Sequence, residues 1–230
     1  MSLGKPVALP PARSPTGTTL EGRTVKLEHL SPAHAEDLFA AVCNKDHIWT
    51  YFPDGPFHEN DRDAFQSSIV AKSNSTDPLF YAVIDRQQNR PVGYSSYLRI
   101  VPEHMSIEIG WVLFSPTLQR TTAATEVIYL LIKHAFEDLG YRRVEWKCDS
   151  LNGPSNRAAA RFGFTFEGIF RQHMVAKGRN RDTAWYSMLK DEWDGKGLKR
   201  AFETWLGEEN FDEGKQKESL ETTRNRIQGK

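Results

Sequence analysis

The pattern of hydrophobic and polar residues predicts alternating strands and helices along most of the chain. Apolar and polar residues alternate over Arg23–Leu30, which is typical of a half-buried strand. Ser31 and Pro32 follow, an N-cap residue and a proline suited to the first turn of a helix. After that helix come an aromatic-rich loop, Trp49–Phe57, and a polar amphipathic helix over Glu59–Ser73.

The middle of the chain predicts a sheet followed by a long helix. Three successive strands with short turns are predicted over Leu79–Ile84, Pro91–Val101 and Met105–Phe114. From Ala124 to Leu139 apolar residues recur at helical spacing and form one face. Gly140 is a suitable residue to end that helix.

The following segment predicts one more strand–helix unit and two closing strands. The strand is expected at Arg143–Cys148 and the helix at Ser155–Phe162. The closing strands are expected near Phe164–Val175 and Asp182–Leu189. Together, the elements predict an α/β (α+β) fold in which helices flank a mixed sheet.

Composition at the two ends predicts extensions around a single domain. Residues 1–22 are rich in Pro, Gly, Ser and Thr and lack periodicity, so a flexible arm is predicted. The domain spans residues 23–190. Residues 191–206 predict an amphipathic helix packed on the domain, and residues 207–230 a charged, mobile tail. The apolar face of that helix comprises Leu198, Ala201, Phe202, Trp205 and Leu206.

Charge and composition narrow the class of protein. The 230 residues carry 30 Lys plus Arg and 30 Asp plus Glu, so the formal net charge is zero. A nucleic-acid partner is not expected, because binding phosphates normally requires a basic excess. No apolar run approaches the roughly 18–20 residues that cross a bilayer, and the first residues lack a signal-peptide pattern. A cytoplasmic protein without a membrane partner is therefore expected. The histidines and cysteines show no metal-ligand spacing, so no metal site is predicted.

The segment Ser115–Glu126 lies between a predicted strand and the long helix. Such a junction presents unpaired backbone N–H groups and the positive end of a helix dipole, which together bind phosphate. The candidate phosphate-binding residues are Gln119, Arg120, Thr121, Thr122, Ala123, Ala124 and Thr125. The alternative is an ordinary helix start with a threonine-rich cap.

Several motifs in this region and beyond it resemble one family. The pattern Gln119-x-x-Thr122-x-Ala124 resembles the Q/R-x-x-G-x-G/A acyl-CoA signature of the GNAT N-acetyltransferases. The motifs that resemble the branch containing the ribosomal-protein alanine/serine acetyltransferases are Ala124-Thr125-Glu126, Asp149-x-x-Asn152-x-x-Ser155, Gly163–Gly168 and Arg179–Asp182. These motifs occur in the family's order between about Leu27 and Leu189.

The resemblance implies a fold, a donor and a reaction. The expected fold is GNAT-like, with a mixed, mostly antiparallel central sheet of about seven strands flanked by helices. The expected reaction moves acetyl from acetyl-CoA directly to an amine, without an acyl-enzyme. Thr122 stands where the signature has glycine. We expect Thr122 to be helical, because a left-handed non-glycine residue would cost roughly 1–2 kcal/mol.

Glu108 is the candidate general base, acting through water. The resemblance implies a glutamate on this strand facing the acceptor, and alternation places Ser106, Glu108 and Gly110 on one face. The alternative is a solvated position on a wet strand face. A backbone N–H near Val112 or Leu113 is expected to polarise the thioester carbonyl, with Gly110 allowing a bulge.

The helix after the Asp149 motif supplies the remaining candidates. Ser155 is the candidate proton donor to the CoA sulfur, and Asn152 is expected to bond to pantetheine or order the loop. Alternatively, these residues only turn the chain, with Ser155 as the N-cap. Arg157 is a candidate for the CoA phosphates or a solvated side chain. Cys148 is not expected to be a nucleophile, since Asp149 disfavours its thiolate.

The acceptor pocket is predicted around the aromatic loop. The candidate residues are Trp49, Tyr51, Phe52, Asp54 and Trp111. Their aromatic rings and one carboxylate suit a cation beside an apolar wall. The alternative is a self-packed loop that plugs the domain.

Three functions remain open. The first is N-acetylation of a small primary amine by a monomer or homodimer. The second is the same reaction on a protein or peptide N-terminus. The third is a silent CoA-binding or partner-binding module, which could dimerise through the Leu198–Leu206 helix.

Overall fold

A computed structural model describes residues 3–7 and 10–230. The strands are β1 (Leu20–Glu21), β2 (Val25–His29), β3 (Leu79–Asp85), β4 (Arg90–Val101), β5 (Ser106–Phe114), β6 (Arg143–Asp149), β7 (Thr165–Ala176), β8 (Arg179–Leu189), β9 (Phe211–Asp212) and β10 (Lys215–Gln216). The α-helices are α1 (Ala35–Val42), α2 (Arg62–Ser73), α3 (Thr122–Lys133), α4 (Gly153–Phe162), α5 (Lys190–Asp194), α6 (Leu198–Leu206) and α7 (Leu220–Gln228). A π-helical turn, His134–Asp138, extends α3.

One large sheet organises the fold. Its strand order is β1-β2-β3-β4-β5-β6-β8-β7, eight strands in all. Every neighbouring pair is antiparallel except β5 and β6, which are parallel. The predicted mixed, mostly antiparallel sheet flanked by helices is confirmed. It has one strand more than predicted because the two residues of β1 pair with β2.

Both faces of the sheet are covered by helices. Strand β3 shows why, because its apolar run Leu79–Ile84 is buried on both sides. Leu79, Tyr81 and Val83 pack with α3 and its neighbours, whereas Phe80, Ala82 and Ile84 pack with α1 and α2. No helix in the described part of the chain is long and apolar enough to span a membrane.

Strands β5 and β6 separate part-way along their length, which creates the central gap of the fold. Their parallel pairing runs from Ser106 opposite Arg143 to Ile109 opposite Trp146 and then stops. Both strands continue, β5 to Phe114 and β6 to Asp149. The backbone groups facing across this gap therefore lack a ladder partner and are available to a ligand.

The N-terminal arm is attached to the domain over its described part. The backbone N–H of Ala12 donates to the Pro102 carbonyl at 3.1 Å, and that of Arg13 donates to Leu139 at 2.8 Å. Strand β1 then pairs with β2 and forms the edge strand of the sheet. The prediction of a flexible arm over 1–22 is therefore wrong for residues 10–22, while residues 1, 2, 8 and 9 lie outside the described residues. Backbone hydrogen bonds hold this extended segment, so its order does not require a periodic pattern of hydrophobic residues. The sequence therefore gave no sign of it.

The C-terminal segment is also folded. Helix α6 buries Leu198, Ala201, Phe202 and Trp205, so its apolar face is covered and offers no free patch for dimerisation. The predicted mobile tail instead contains a short hairpin, β9–β10, and α7, which packs on α4 and α6. Leu220 anchors α7, because its side chain is 2% exposed.

Replacing Leu220 with alanine is expected to destabilise the protein by roughly 2–5 kcal/mol, the usual cost of a cavity at a buried leucine. The measurement is urea unfolding followed by tryptophan fluorescence. Leu189→Ala is the matched control, because Leu189 is 42% exposed. Equal, small effects of both substitutions would show that α7 is not packed in solution.

Candidate active site

The loop after β5 leads into α3 with free donors at the helix start. Arg120 takes the left-handed conformation, with φ of +62°, and Thr121 is the N-cap. The Thr121 hydroxyl accepts a hydrogen bond from the Ala124 N–H at 3.1 Å. Thr122 is the first helical residue, as expected, so glycine is not required at this position. The first-turn N–H groups of Thr122 and Ala123 have no intrahelical acceptor and suit a phosphate.

Three predicted phosphate-binding side chains have protein partners instead. The Thr121 hydroxyl, besides accepting from Ala124, donates to the Leu118 carbonyl at 2.6 Å. The Gln119 amide donates to the Phe114 carbonyl at 2.8 Å, which folds the loop back onto β5. Thr125 is buried, and its hydroxyl accepts from Arg161 at 3.0 Å. Arg161 also lies 5.0 Å from the Trp205 ring, and desolvation lowers its pKa. These side chains shape the loop, while the backbone and Arg120 remain for a phosphate.

A bulge in β5 lies at the edge of the gap. Between the pairs Tyr94–Leu113 and Ser96–Gly110 the register shifts, and Trp111 has φ of +50°. The expected bulge is therefore present, but Trp111 rather than Gly110 takes the unusual backbone conformation. A Cβ at position 110 would lie 2.8 Å from the end of the Leu98 side chain, which would have to shift to admit a larger residue. Val112 and Leu113 follow on the part of β5 that no longer pairs with β6, and Leu113 pairs with Tyr94 of β4.

Glu108 is buried and paired with two cations. Its side chain is 4% exposed, and one carboxylate oxygen lies 2.5 Å from Arg99 and 3.0 Å from the Lys147 amine. The alternative interpretation, a solvated strand position, is wrong. Lys147 is itself 3% exposed and lies 3.7 Å from the Trp185 ring centroid. Lys147 was not predicted from the sequence, because it belongs to no recognisable motif on β6.

The charges continue from Lys147 across the sheet. Glu145 lies 2.6 Å from Lys147. Burial raises the pKa of Glu145, but hydrogen bonds from Lys147 and Arg143, and their charges, outweigh burial and lower it overall. The Arg143 guanidinium also holds the pKa of Glu167 at about 2 through a hydrogen bond. Both carboxylates are therefore ionised at neutral pH, and the ion pairs join β6 to Glu167 of β7.

Ser155 and Asn152 stand at the start of α4, next to β6. Asn152, not Ser155, is the N-cap, because its side-chain oxygen accepts from the Ser155 N–H at 3.1 Å. The Ser155 hydroxyl accepts from the Trp146 indole N–H at 3.0 Å. That bond uses an oxygen lone pair and not the hydroxyl proton, and the same hydroxyl lies within hydrogen-bonding reach of the Cys148 thiol. Arg157 is exposed, and its guanidinium lies over Gly153 in the first turn of α4.

Asn156 connects the groups around this turn and was missed from the sequence. Its side-chain oxygen accepts from the Tyr186 hydroxyl at 2.7 Å and from the Cys148 thiol at 3.3 Å. Burial raises the pKa of Cys148, so its thiol remains protonated at neutral pH, as expected for a residue that is not a nucleophile. Burial also raises the pKa of Tyr186.

The aromatic loop divides into a buried part and an exposed part. Trp49 is fully buried, with its ring 5.5 Å from Phe52, so it supports the loop and offers no surface to an acceptor. This corrects its predicted place in the pocket. Phe52 and Trp111 pack edge to face at 6.1 Å and form an apolar wall. The Tyr51 hydroxyl donates to the Leu151 carbonyl at 2.8 Å, which joins the loop to the turn before α4.

The cation expected beside Asp54 is supplied by the chain itself. The Lys72 amine lies 2.6 Å from Asp54 and 5.3 Å from the Trp111 ring centroid. The sequence predicted a cation between Asp54 and an aromatic wall, and in the structure that cation is Lys72 and not a bound acceptor. Lys72 and Ser68 both bond to one Asp54 oxygen, while the other oxygen is buried without a hydrogen-bond partner in the described part of the chain.

The hairpin of β7 and β8 closes over the aromatic loop. Lys177 at its tip donates to the Trp49 carbonyl at 3.2 Å and to the Gly55 carbonyl at 3.1 Å. The aromatic loop is thus held in place by a segment distant in sequence. Two surface cavities of about 510 and 490 Å³ lie instead beside α6, and neither is lined by a residue predicted for the site.

Similarity to known proteins agrees with this arrangement. A family model described as an acetyltransferase (GNAT) domain matches residues 24–165, more than half of the chain. The chain belongs to the GNAT acetyltransferase family. It is therefore an enzyme of acetyl transfer.

Solved structures extend the similarity beyond the family model. A GCN5-related N-acetyltransferase from Brucella melitensis is 45% identical, with a TM-score of 0.91, and the match covers 95% of this acetyltransferase and 99% of that chain. A GNAT-family chain from Chromobacterium violaceum ATCC 12472 is 41% identical, with a TM-score of 0.78, over 85% and 98% of the two chains.

The resemblance to the ribosomal-protein branch is confirmed among curated relatives. The ribosomal-protein-serine acetyltransferase of Escherichia coli (strain K12) is 24% identical over 182 residues, which is 76% of this acetyltransferase and 98% of that protein.

Proposed function

We propose that this acetyltransferase moves an acetyl group from acetyl-CoA to the primary amine of a small molecule. The closure of the acceptor side carries the proposal. Tyr51 bonds to Leu151, and Lys177 bonds to the carbonyls of Trp49 and Gly55, so the loop lies across the site. A loop held down by such contacts favours a ligand of modest size, whereas an extended peptide requires an open groove.

The residues around the gap fit acetyl-CoA. The N–H groups of Thr122 and Ala123 at the start of α3 suit its pyrophosphate, with Arg120 adding charge. The unpaired edge of β5 at Val112 suits the pantetheine amides and the thioester oxygen, whereas Leu113 pairs with Tyr94 of β4 on the other side. When bound, acetyl-CoA supplies an acetyl group activated as a thioester.

Glu108 is assigned the role of general base, which accepts a proton from the acceptor amine. A protonated amine with a pKa of about 10 is unreactive at neutral pH, so it must first lose one proton to solvent to free its lone pair. As the N–C bond forms, the nitrogen loses a second proton, which a base must accept and later release to solvent. Only one Glu108 oxygen contacts Arg99 and Lys147, which leaves the other for the amine or for one bridging water.

Ser155 is assigned to protonate the departing sulfur. The bond from Trp146 does not use the hydroxyl proton, which can turn from the neighbouring Cys148 thiol to the CoA sulfur. Asn152 holds the Ser155 backbone and thereby fixes the position of that hydroxyl. The proton passes to sulfur as the C–S bond breaks and is replaced from solvent.

Acetylation of a protein N-terminus is the second candidate. The observation in its favour is the similarity to the ribosomal-protein-serine acetyltransferase, whose name states a protein acceptor. A silent CoA-binding module is disfavoured, since Thr122 is helical and α6 is covered, so the two features that suggested it have structural explanations.

Matched acceptors separate the first two candidates. Thiol release from acetyl-CoA is measured with free amino acids, simple primary amines, and peptides of about ten residues that begin with the same amino acids. We expect a small amine to give kcat/KM at least tenfold above that of every peptide. A peptide preference of the same size would replace the proposal with N-terminal acetylation.

A further inference from the structure

The two oxygens of the Glu108 carboxylate have different surroundings. One oxygen, Oε2, accepts from the Arg99 guanidinium at 2.5 Å and lies 3.0 Å from the Lys147 amine. The other, Oε1, accepts no hydrogen bond from any residue that the structure describes. It lies 3.5 Å from the position that a Cβ on Gly110 would take. Gly110 is the first residue of β5 after its pairing with β6 ends at Ile109, so the free oxygen lies where the two strands separate.

Lys147 is held in place from three sides. Its amine lies 3.0 Å from Glu108, 2.6 Å from Glu145 and 3.7 Å from the centroid of the Trp185 ring. Arg143 donates to Glu145 at 2.7 Å and keeps that carboxylate in place. The Lys147 side chain is 3% exposed, so the ring and the two carboxylates leave the ammonium almost no contact with solvent. Separating a buried charge from its partners is costly, and the amine is therefore fixed in position.

The strand register explains why Lys147 can reach Glu108. Glu145 stands opposite Glu108 in the parallel pairing of β5 and β6. Lys147 is two residues further along β6, so its side chain leaves the same face of the sheet as Glu145. It is also one residue beyond the last pair, which joins Ile109 to Trp146. The contact between Lys147 and Glu108 therefore crosses from β6 to β5 at the start of the gap.

Arg99 is the weaker of the two restraints on Glu108. The Arg99 side chain is 45% exposed, whereas the Glu108 side chain is 4% exposed. A cation in contact with water forms a screened pair and leaves its partner at little cost. Lys147 and Glu108 are both buried, so the attraction between them is less screened. Lys147 is therefore the residue that fixes the direction of the carboxylate.

We propose that Lys147 is a positioning residue for the reaction. It holds Glu108 by Oε2 and thereby leaves Oε1 directed toward the acceptor at the gap. Proton transfer requires the base to lie within hydrogen-bond reach of the amine or of one bridging water. A displacement of about 1 Å can cost about a hundredfold in rate. The proposal rests on the proposed role of Glu108 as general base, and Lys147 itself transfers no proton.

The test is a double-mutant cycle of Lys147 and Glu108, measured by steady-state thiol release with the best acceptor from the panel. Lys147→Met removes the ammonium and is expected to lower kcat about ten- to a hundredfold. KM for acetyl-CoA should change little. In the Glu108→Gln background the same substitution should not lower kcat further, because the base that Lys147 orients is already absent. A role in packing alone would lower kcat in both backgrounds.

Controls separate the effect from loss of folding or of any ion pair. Lys199→Met is the matched control, because the Lys199 amine also lies 3.0 Å from a glutamate, Glu137, and belongs to α6 outside the site. It should keep the wild-type kcat. Calorimetric titration with acetyl-CoA checks that each variant is folded. If Lys147→Met does not bind acetyl-CoA, Lys147→Gln, which retains an N–H donor, replaces it in the cycle with the same expected pattern.

The possible failures are distinguishable. A wild-type kcat in Lys147→Met, or an equal loss in both backgrounds, would overturn the role of Lys147 and leave the proposed function standing. A wild-type kcat in Glu108→Gln would overturn the assignment of the base and, with it, the role of Lys147. No thiol release with any small amine would overturn the proposed acceptor, and the cycle measured with the best peptide would then decide the role of Lys147.

Discussion

Glu108→Gln is expected to lower kcat by about ten- to ten-thousand-fold at pH 7, the range for loss of a general base. The amide cannot accept the amine proton, although it fills the same space. KM for acetyl-CoA should change little, because Glu108 is placed on the acceptor side. The measurement is steady-state thiol release with the best small amine from the acceptor panel.

The pH profile separates a catalytic role from a structural one. As the pH rises toward the pKa of the free amine, more of the acceptor is already deprotonated, so the variant should regain activity relative to the wild type. Glu103→Gln, an exposed glutamate in the turn before β5, is the control. A wild-type rate in Glu108→Gln, or a deficit equal at every pH, would remove Glu108 from proton transfer.

Ala123→Glu is expected to weaken acetyl-CoA binding by at least a hundredfold. Ala123 is the second residue of α3, and an acidic side chain there places negative charge where the pyrophosphate would bind. The helix itself should not suffer, because acids near an N-terminus interact favourably with the helix dipole. Calorimetric titration with acetyl-CoA gives the affinities.

A matched control shows whether the effect is local. Ala71→Glu makes the same change at an exposed position of α2, on the other side of the sheet. It should leave the affinity unchanged. Equal binding by Ala123→Glu and the wild type would place the donor phosphates away from the start of α3, and the fit of acetyl-CoA to this loop would be lost.

Features that depend on local periodicity were predictable from the sequence. The strands of the central sheet, the long helix ending at Gly140, and the helical Thr122 all follow from short-range patterns and cap chemistry. The order of the motifs was enough to indicate the family. Each of these signals lies within one element or at its ends.

Features set by contacts between distant segments were not predictable. Lys72 and Asp54 form an ion pair although they are 18 positions apart, and the sequence around neither residue indicates the pairing. Lys147 gains its role only because β6 lies beside β5 and thus beside Glu108. The packing of α7 depends on the surface left by α4 and α6, which the weak period of α7 does not reveal.

The most direct test of the central claim is product analysis with the wild-type enzyme, acetyl-CoA and the panel of small amines. Thiol release is followed in solution, and the amine product is identified by mass spectrometry. The account predicts one N-acetylated small amine for each thiol released. Binding of acetyl-CoA without thiol release, for every small amine tested, would contradict it.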